Sequence, residues 1–198
     1  MRWKQAVLIV LAALLAGVLG LAASIAINGP GMLLRSDAGQ ALMAWWLSSK
    51  APPGLQRVDT GEIVPAFELN ALQGQLTRLP VQGRGMVINY WASWCGPCRE
   101  EMPVLGRYAQ SQGDKGIQVI GIALDHREDA EAFLREVPVP FPNLLEMPGP
   151  TDSSARMGNA QGVLPFSVLI GPDGRLLKRR FGSFASPEEL QEWASGTP

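Results

Sequence analysis

The chain has 198 residues, 46% of them hydrophobic, and a net charge of -1. That is enough to bury a sizeable core, and it gives no electrostatic case for nucleic acid. Two cysteines exclude a disulfide framework, and a single histidine makes a poor zinc site.

Arg2 and Lys4 precede Ala6 to Ile27, 22 residues without a charge. As a helix, such a run crosses a hydrocarbon core of about 30 Å, so a transmembrane anchor is expected. A cleaved secretory signal is the rival reading. Its apolar core is usually shorter, about 7–15 residues, and ends at a small-x-small site. Ala22-x-Ser24 and Ser24-x-Ala26 would serve. The length favours the uncleaved anchor, and the absence of a cysteine here excludes a lipid anchor. A buried core helix fits poorly at an extreme N-terminus behind two cations. The positive-inside rule keeps Arg2 and Lys4 in the cytoplasm and exports the rest, to the periplasm or the cell exterior. The expected location is the inner (cytoplasmic) membrane, crossed once.

Asn28-Gly29-Pro30-Gly31 breaks the helix. Met32 to Leu47 is too short and too charged to span again. Its Leu and Trp residues suit either the membrane interface or a face of the domain. Pro52-Pro53-Gly54 marks a linker. The expected organisation is an anchor at 1–28, a juxtamembrane helix and linker at 29–58, and a domain at 59–198 of about 140 residues.

Within the domain, Phe67–Leu69 and Gln75–Leu79 predict a short hairpin around Gln73-Gly74. Met86–Trp91 predicts a central strand buried on both faces. A helix follows from Cys98 to about Ser111, with Pro103 inside it and Met102, Leu105, Tyr108 and Ala109 on one face. Ile117–Ala123 is a second buried strand. Arg127–Val137 is a helix with Ala130, Phe133 and Leu134 on one side. The proline-rich stretch 138–150 holds a strand at Asn143–Leu145, and Ser153–Gly158 a helical turn or two. Phe166–Ile170 and Arg175–Phe181 form a hairpin around Gly171-Pro172-Asp173-Gly174. In it, Lys178-Arg179-Arg180 reads as one exposed strand face. Ser186 and Pro187 open the last helix, Ser as N-cap and Pro at its first position. Strands alternating with helices and closed by a hairpin make an α/β layered domain with a mixed sheet.

Trp94-Cys95-Gly96-Pro97-Cys98 lies at a strand-to-helix junction and holds both cysteines of the chain. At a helix N-terminus, free N–H groups and the helix dipole favour a thiolate, which lowers a cysteine pKa from about 8.5 toward 7 or below. Cys95 is therefore the expected nucleophile. Cys98, one turn on, can attack a mixed disulfide on Cys95 and release the partner. A purely stabilising disulfide is the bland alternative, and so small a loop removes little unfolded-state entropy. His126 is expected to be a loop residue at a strand end.

The motif resembles the thioredoxin superfamily, in particular the membrane-anchored TlpA/ResA/CcmG-like thiol–disulfide oxidoreductases. Asn89, Trp91, Ala92, Trp94, Cys95, Cys98, Glu101 and Pro103 match their pattern over a domain of about residues 60 to 195. The resemblance implies a thioredoxin-like three-layer fold with a mixed central sheet, preceded by the transmembrane helix. It implies no cofactor and no metal. Asn89 stands where cytosolic thioredoxins carry a buried Asp. Glu101 matches a carboxylate near the cysteines, the expected acid/base for thiol ionisation, whereas Glu100 faces solvent.

Gly162-Val163-Leu164-Pro165 matches the family's second mark, which implies a cis Leu164–Pro165 bond against the cysteines. The backbone of Val163 and Leu164 is expected to pair with an extended substrate. Trp91 and Trp94 would pack around the site and offer an apolar docking surface, and Trp94, Gly96 and Pro97 would border the substrate. Phe166, Ser167 and Gly171 depart from the residues usual after this proline.

The implied function is reduction of protein disulfides in an exported location. Apocytochrome c is one candidate client, and a membrane thiol conductor the electron donor. A thiol peroxidase of the peroxiredoxin type would need proline and threonine where Asn89 and Ala92 stand. A Sco-like copper-delivery protein would need a Cys-x-x-x-Cys and a distant histidine. A non-catalytic scaffold leaves the cysteine pair without a reason.

Overall fold

The computed structural model describes residues 2–28, 37–48, 52–72 and 74–196. The chain divides into two compact units, Met1–Ala41 and Leu42–Pro198. In the first, Arg2–Asn28 forms one helix of 27 residues (α1). Side chains at 21–28 lie outside the described residues. Among those described, no helix is long and apolar enough to cross a membrane. The expected break at Gly29–Gly31, the start of the helix expected at Met32, and Gln73 in the first hairpin also lie outside them. Asp37–Ser48 forms α2.

The larger unit is built on a seven-stranded sheet. Its strands are β1 (Phe67–Ala71), β2 (Leu76–Leu79), β3 (Met86–Trp91), β4 (Gln118–Leu124), β5 (Asn143–Glu146), β6 (Phe166–Ile170) and β7 (Leu176–Phe181), in the order β2-β1-β5-β4-β3-β6-β7. β3, β4 and β5 run parallel, and the remaining pairs are antiparallel. The helices are α3 (Gly96–Gln112), α4 (Arg127–Glu136), α5 (Ser153–Arg156) and α6 (Pro187–Ser195).

β3 is central, and every one of its residues is buried. Period-two alternation sends Val87 and Trp91 into one core and Met86, Ile88 and Tyr90 into the other. The first core is closed by Met102, Leu105 and Tyr108 of α3, Ala130 and Phe133 of α4, and Leu190 and Ala194 of α6. The second is covered by Val58 and Val64 of the lead-in segment and by Met157 after α5, with Met43 packed against it. Pro103 is accommodated inside α3. Ser186 caps α6 as expected, accepting from the Glu189 N–H at 3.2 Å. In the β6–β7 turn, Gly174 takes φ +81°, a conformation that favours glycine.

The basic run on β7 is not an exposed face. Lys178 donates to the Trp193 carbonyl at 2.9 Å, and Arg179 donates to the carbonyls of Met157 and Val58. Arg180 is buried, its guanidinium 2.5 Å from Glu189. Strand alternation does not show this, because β7, although an edge strand, has α6 on one side and the segment around Val58 on the other. The long side chains cross to both.

Candidate active site

β3 ends at Trp91, and the chain turns through Ala92–Trp94 into α3. Cys95 is the N-cap of that helix. Its sulfur accepts from the Cys98 N–H at 3.2 Å, and its carbonyl accepts from Arg99 N–H at 3.1 Å. Cys95 and Cys98 are joined as a disulfide, so the structure is the oxidised form. Both are largely buried, Cys95 being the more accessible, whereas Gly96 and Pro97 are exposed. Trp94 is 71% exposed beside them. Trp91 differs from expectation. It is fully buried, lies tilted against the Phe133 ring with centroids 5.0 Å apart and donates to Asn143 Oδ1 at 2.9 Å, so it supports the site from below and offers no docking surface.

The turn is held by a residue that no motif in the sequence marks. Asp125, buried at the end of β4, accepts from the Ser93 N–H at 2.7 Å and from the His126 N–H at 2.8 Å. Parallel pairing of β3 with β4 brings their C-terminal ends side by side. Only a topology, not a spacing, could have pointed to Asp125. His126 sits at the N-cap of α4 without a side-chain cap bond.

The Leu164–Pro165 peptide is cis, and Leu79–Pro80 is a second cis bond that no motif announced. Leu164 packs on the core cluster that contains both cysteines, and Pro165 is buried, its carbonyl accepting from Gly182 N–H at 2.9 Å. Val163 departs from expectation. Its N–H donates to Asn159 Oδ1 and its carbonyl accepts from Asn159 Nδ2, both at 2.9 Å. Its N–H is therefore taken by a buried side chain five residues before Leu164, and extended pairing would fall on Leu164. Leu164 has no backbone partner among the described residues.

Glu101 sits one turn beyond Cys98 on the inner face of α3, only 1% exposed. Oε1 accepts from the Phe184 N–H at 2.8 Å, and Oε2 accepts from Asn89 Nδ2 at 3.0 Å. Burial pushes its pKa up to about 7, against the pull of those two hydrogen bonds and of Arg180. A group near 7 can hold or release a proton at neutral pH, which is the range thiol chemistry needs. Glu100, by contrast, is exposed.

Asn89 also donates to Ser167 Oγ at 3.0 Å. Asn89 lies opposite Ser167, and Ser167 opposite Arg180, so a polar row crosses β3, β6 and β7 beneath Glu101. The departure at Ser167 thus has a structural use. Its hydroxyl accepts from Asn89, the same amide that donates to Glu101.

A family model for AhpC/TSA proteins matches residues 60–179. The ResA thiol–disulfide oxidoreductase of Bacillus thuringiensis subsp. konkukian is 27% identical, over 70% of this chain and 78% of its own length. ResA of Geobacillus thermodenitrificans is 26% identical over 84% of this chain and 92% of its own. A DsbE-type thiol:disulfide interchange protein from Chlorobium tepidum has a similar solved structure, with TM-score 0.60 and 30% identity, covering 69% of this chain and 95% of that one. These likenesses are to proteins named for thiol–disulfide exchange, and the cysteine pair at the N-terminus of α3 is the group in this chain that can carry it. The chain belongs to the AhpC/TSA family, among its TlpA/ResA/CcmG-like members, and is a protein thiol–disulfide oxidoreductase.

Proposed function

We propose that the enzyme works in the reducing direction, on disulfides of exported proteins, tethered to the cytoplasmic membrane by residues 1–28. Residues 29–58 serve as spacer and 59–198 as the catalytic domain. The uncharged run Ala6–Ile27 supports the tether and the export.

The Cys95 thiolate attacks one sulfur of the client disulfide, a new S–S bond forms, and the other client sulfur leaves as thiolate. The Cys98 thiolate then attacks Cys95, the second client thiolate leaves, and two electrons have passed to the client. The enzyme is left as the Cys95–Cys98 disulfide, the form observed. Glu101 takes up and returns the Cys98 proton. Trp94, Gly96 and Pro97 border the client, and Leu164, with Val163 and Pro165 behind it, forms the opposite wall. A membrane thiol conductor restores the dithiol, and apocytochrome c before haem attachment is the proposed client.

The observation that carries this reading is a titratable, buried Glu101 one turn beyond Cys98 on the helix that Cys95 caps, with the exposed Trp94 beside the cysteine pair. The test is a trap. Cys98→Ser should hold the client on Cys95 as a mixed disulfide that survives isolation from the cell envelope and reverses with dithiothreitol, while Cys95→Ala holds none. Failure to capture an exported, cysteine-containing client with Cys98→Ser would sink the proposal.

A further inference from the structure

A buried arginine beside the loop that holds Glu101 calls for a reason, since taking a guanidinium out of water is costly unless its surroundings use the charge. Arg180 is 5% exposed. One terminal nitrogen donates to Glu189 Oε1 at 2.5 Å and lies 3.3 Å from the Ser183 carbonyl. Nε is buried without a partner among the described residues. The guanidinium stands 4.3 Å over the ring of Phe184, whose own N–H is the donor to Glu101. Glu189 in turn accepts from the Ala185 N–H at 2.6 Å. The loop 183–185 is therefore clamped between the Arg180–Glu189 pair and Glu101. Arg180 also closes the polar row that begins at Asn89.

We propose that Arg180 is a positioning residue for the thiol chemistry: its charge and its hold on Phe184 set how readily Glu101 gives up its proton, and Glu189 limits how much of that charge Glu101 feels. The consequence for the cysteines rests on the role proposed above for Glu101. The charged groups that bear on Glu101 from its neighbours are Arg180 on β7 and Glu189 on α6, and they act with opposite sign. Asn89 and Ser167, on β3 and β6, are neutral and contribute hydrogen bonds alone.

Opposite signs make the idea separable from mere scaffolding. Loss of a structural tie weakens the fold whichever partner is removed. Loss of a charge pair moves Glu101 in opposite directions. The experiment is a carboxyl 13C NMR titration of the oxidised full-length chain labelled at glutamate, with Glu101 identified by its absence in Glu101→Gln. Arg180→Met should raise the Glu101 midpoint by about one pH unit, the scale of a lost nearby charge. Glu189→Gln should lower it, and Arg180→Lys should stay nearer the parent than Arg180→Met does. In the reduced chain, the pH profile of cysteine alkylation should shift in the same sense. Midpoints that stay put, or move the same way in Arg180→Met and Glu189→Gln, would overturn the proposal. If Arg180→Met does not fold, Glu189→Gln decides alone by the direction of its shift. Failure of the disulfide-reductase reading looks different: the Cys98→Ser trap stays empty whatever the NMR midpoint does.

Discussion

Replacing Glu101 by glutamine should remove a pH dependence of folding that Glu101 imposes between pH 4.5 and 7. In the folded protein the carboxyl is pushed from an ordinary 4.5 to about 7 by burial. Its stabilising contribution, relative to alkaline pH, is then fully present below the unfolded value. It is lost as pH rises through the folded value, because in that window the folded state holds a proton the unfolded state has released. The displacement corresponds to on the order of 3 kcal/mol. Almost none of this is discounted for solvent, since Glu101 is 1% exposed.

Glutamine fits the same space. Its oxygen can keep the Phe184 N–H, and Asn89, whose Oδ1 has no partner among the described residues, can turn its amide to accept from the new NH2. The assay is urea unfolding of the oxidised chain, followed by tryptophan fluorescence from pH 4.5 to 8. The parent should lose on the order of 3 kcal/mol more than Glu101→Gln across that window, and Glu101→Gln should be the more stable of the two at pH 8; burial also raises Glu146, which leaves both curves a common slope. Parallel curves for the two proteins would refute the assignment of a raised pKa to Glu101.

Two further outcomes follow from the loop and from the floor of the site. Asp125→Ala removes the acceptor of the Ser93 N–H and should cost about 1–3 kcal/mol. It should also change the alkylation rate of Cys95 in the reduced chain, and an unaltered rate together with unaltered stability would show that this carboxylate does not hold the turn. At Gly121, an added Cβ would lie 2.1 Å from Asn143 Oδ1 and 2.9 Å from Trp91 Nε1. Gly121→Ala should therefore break the Trp91–Asn143 bond and cost more than about 2 kcal/mol by thermal unfolding.

Local patterns carry the strands, the helices and the cysteine pair, because each rests on residues close together in the chain. The burial of β3, the place of Cys95 at a helix N-terminus, the Ser186-Pro187 helix start and the β6–β7 turn are all readable for that reason. Glu101 was readable too, since its place one turn from Cys98 follows from helical periodicity, although its burial did not. The basic run at 178–180 misled because the alternation of a strand says which residues share a face, and nothing about what covers that face.

What the sequence by itself determined about this protein is the chemistry: a thiol pair on a helix N-terminus with a carboxylate one turn away. Tertiary structure alone decided how that chemistry is controlled. Asp125 meets Ser93 across parallel strand ends, Asn159 takes the backbone of Val163, and Asn89, Ser167 and Arg180 align on three strands that are distant in sequence. Cross-strand register and helix packing create those neighbours, and burial there turns an ordinary glutamate into one that titrates near neutrality.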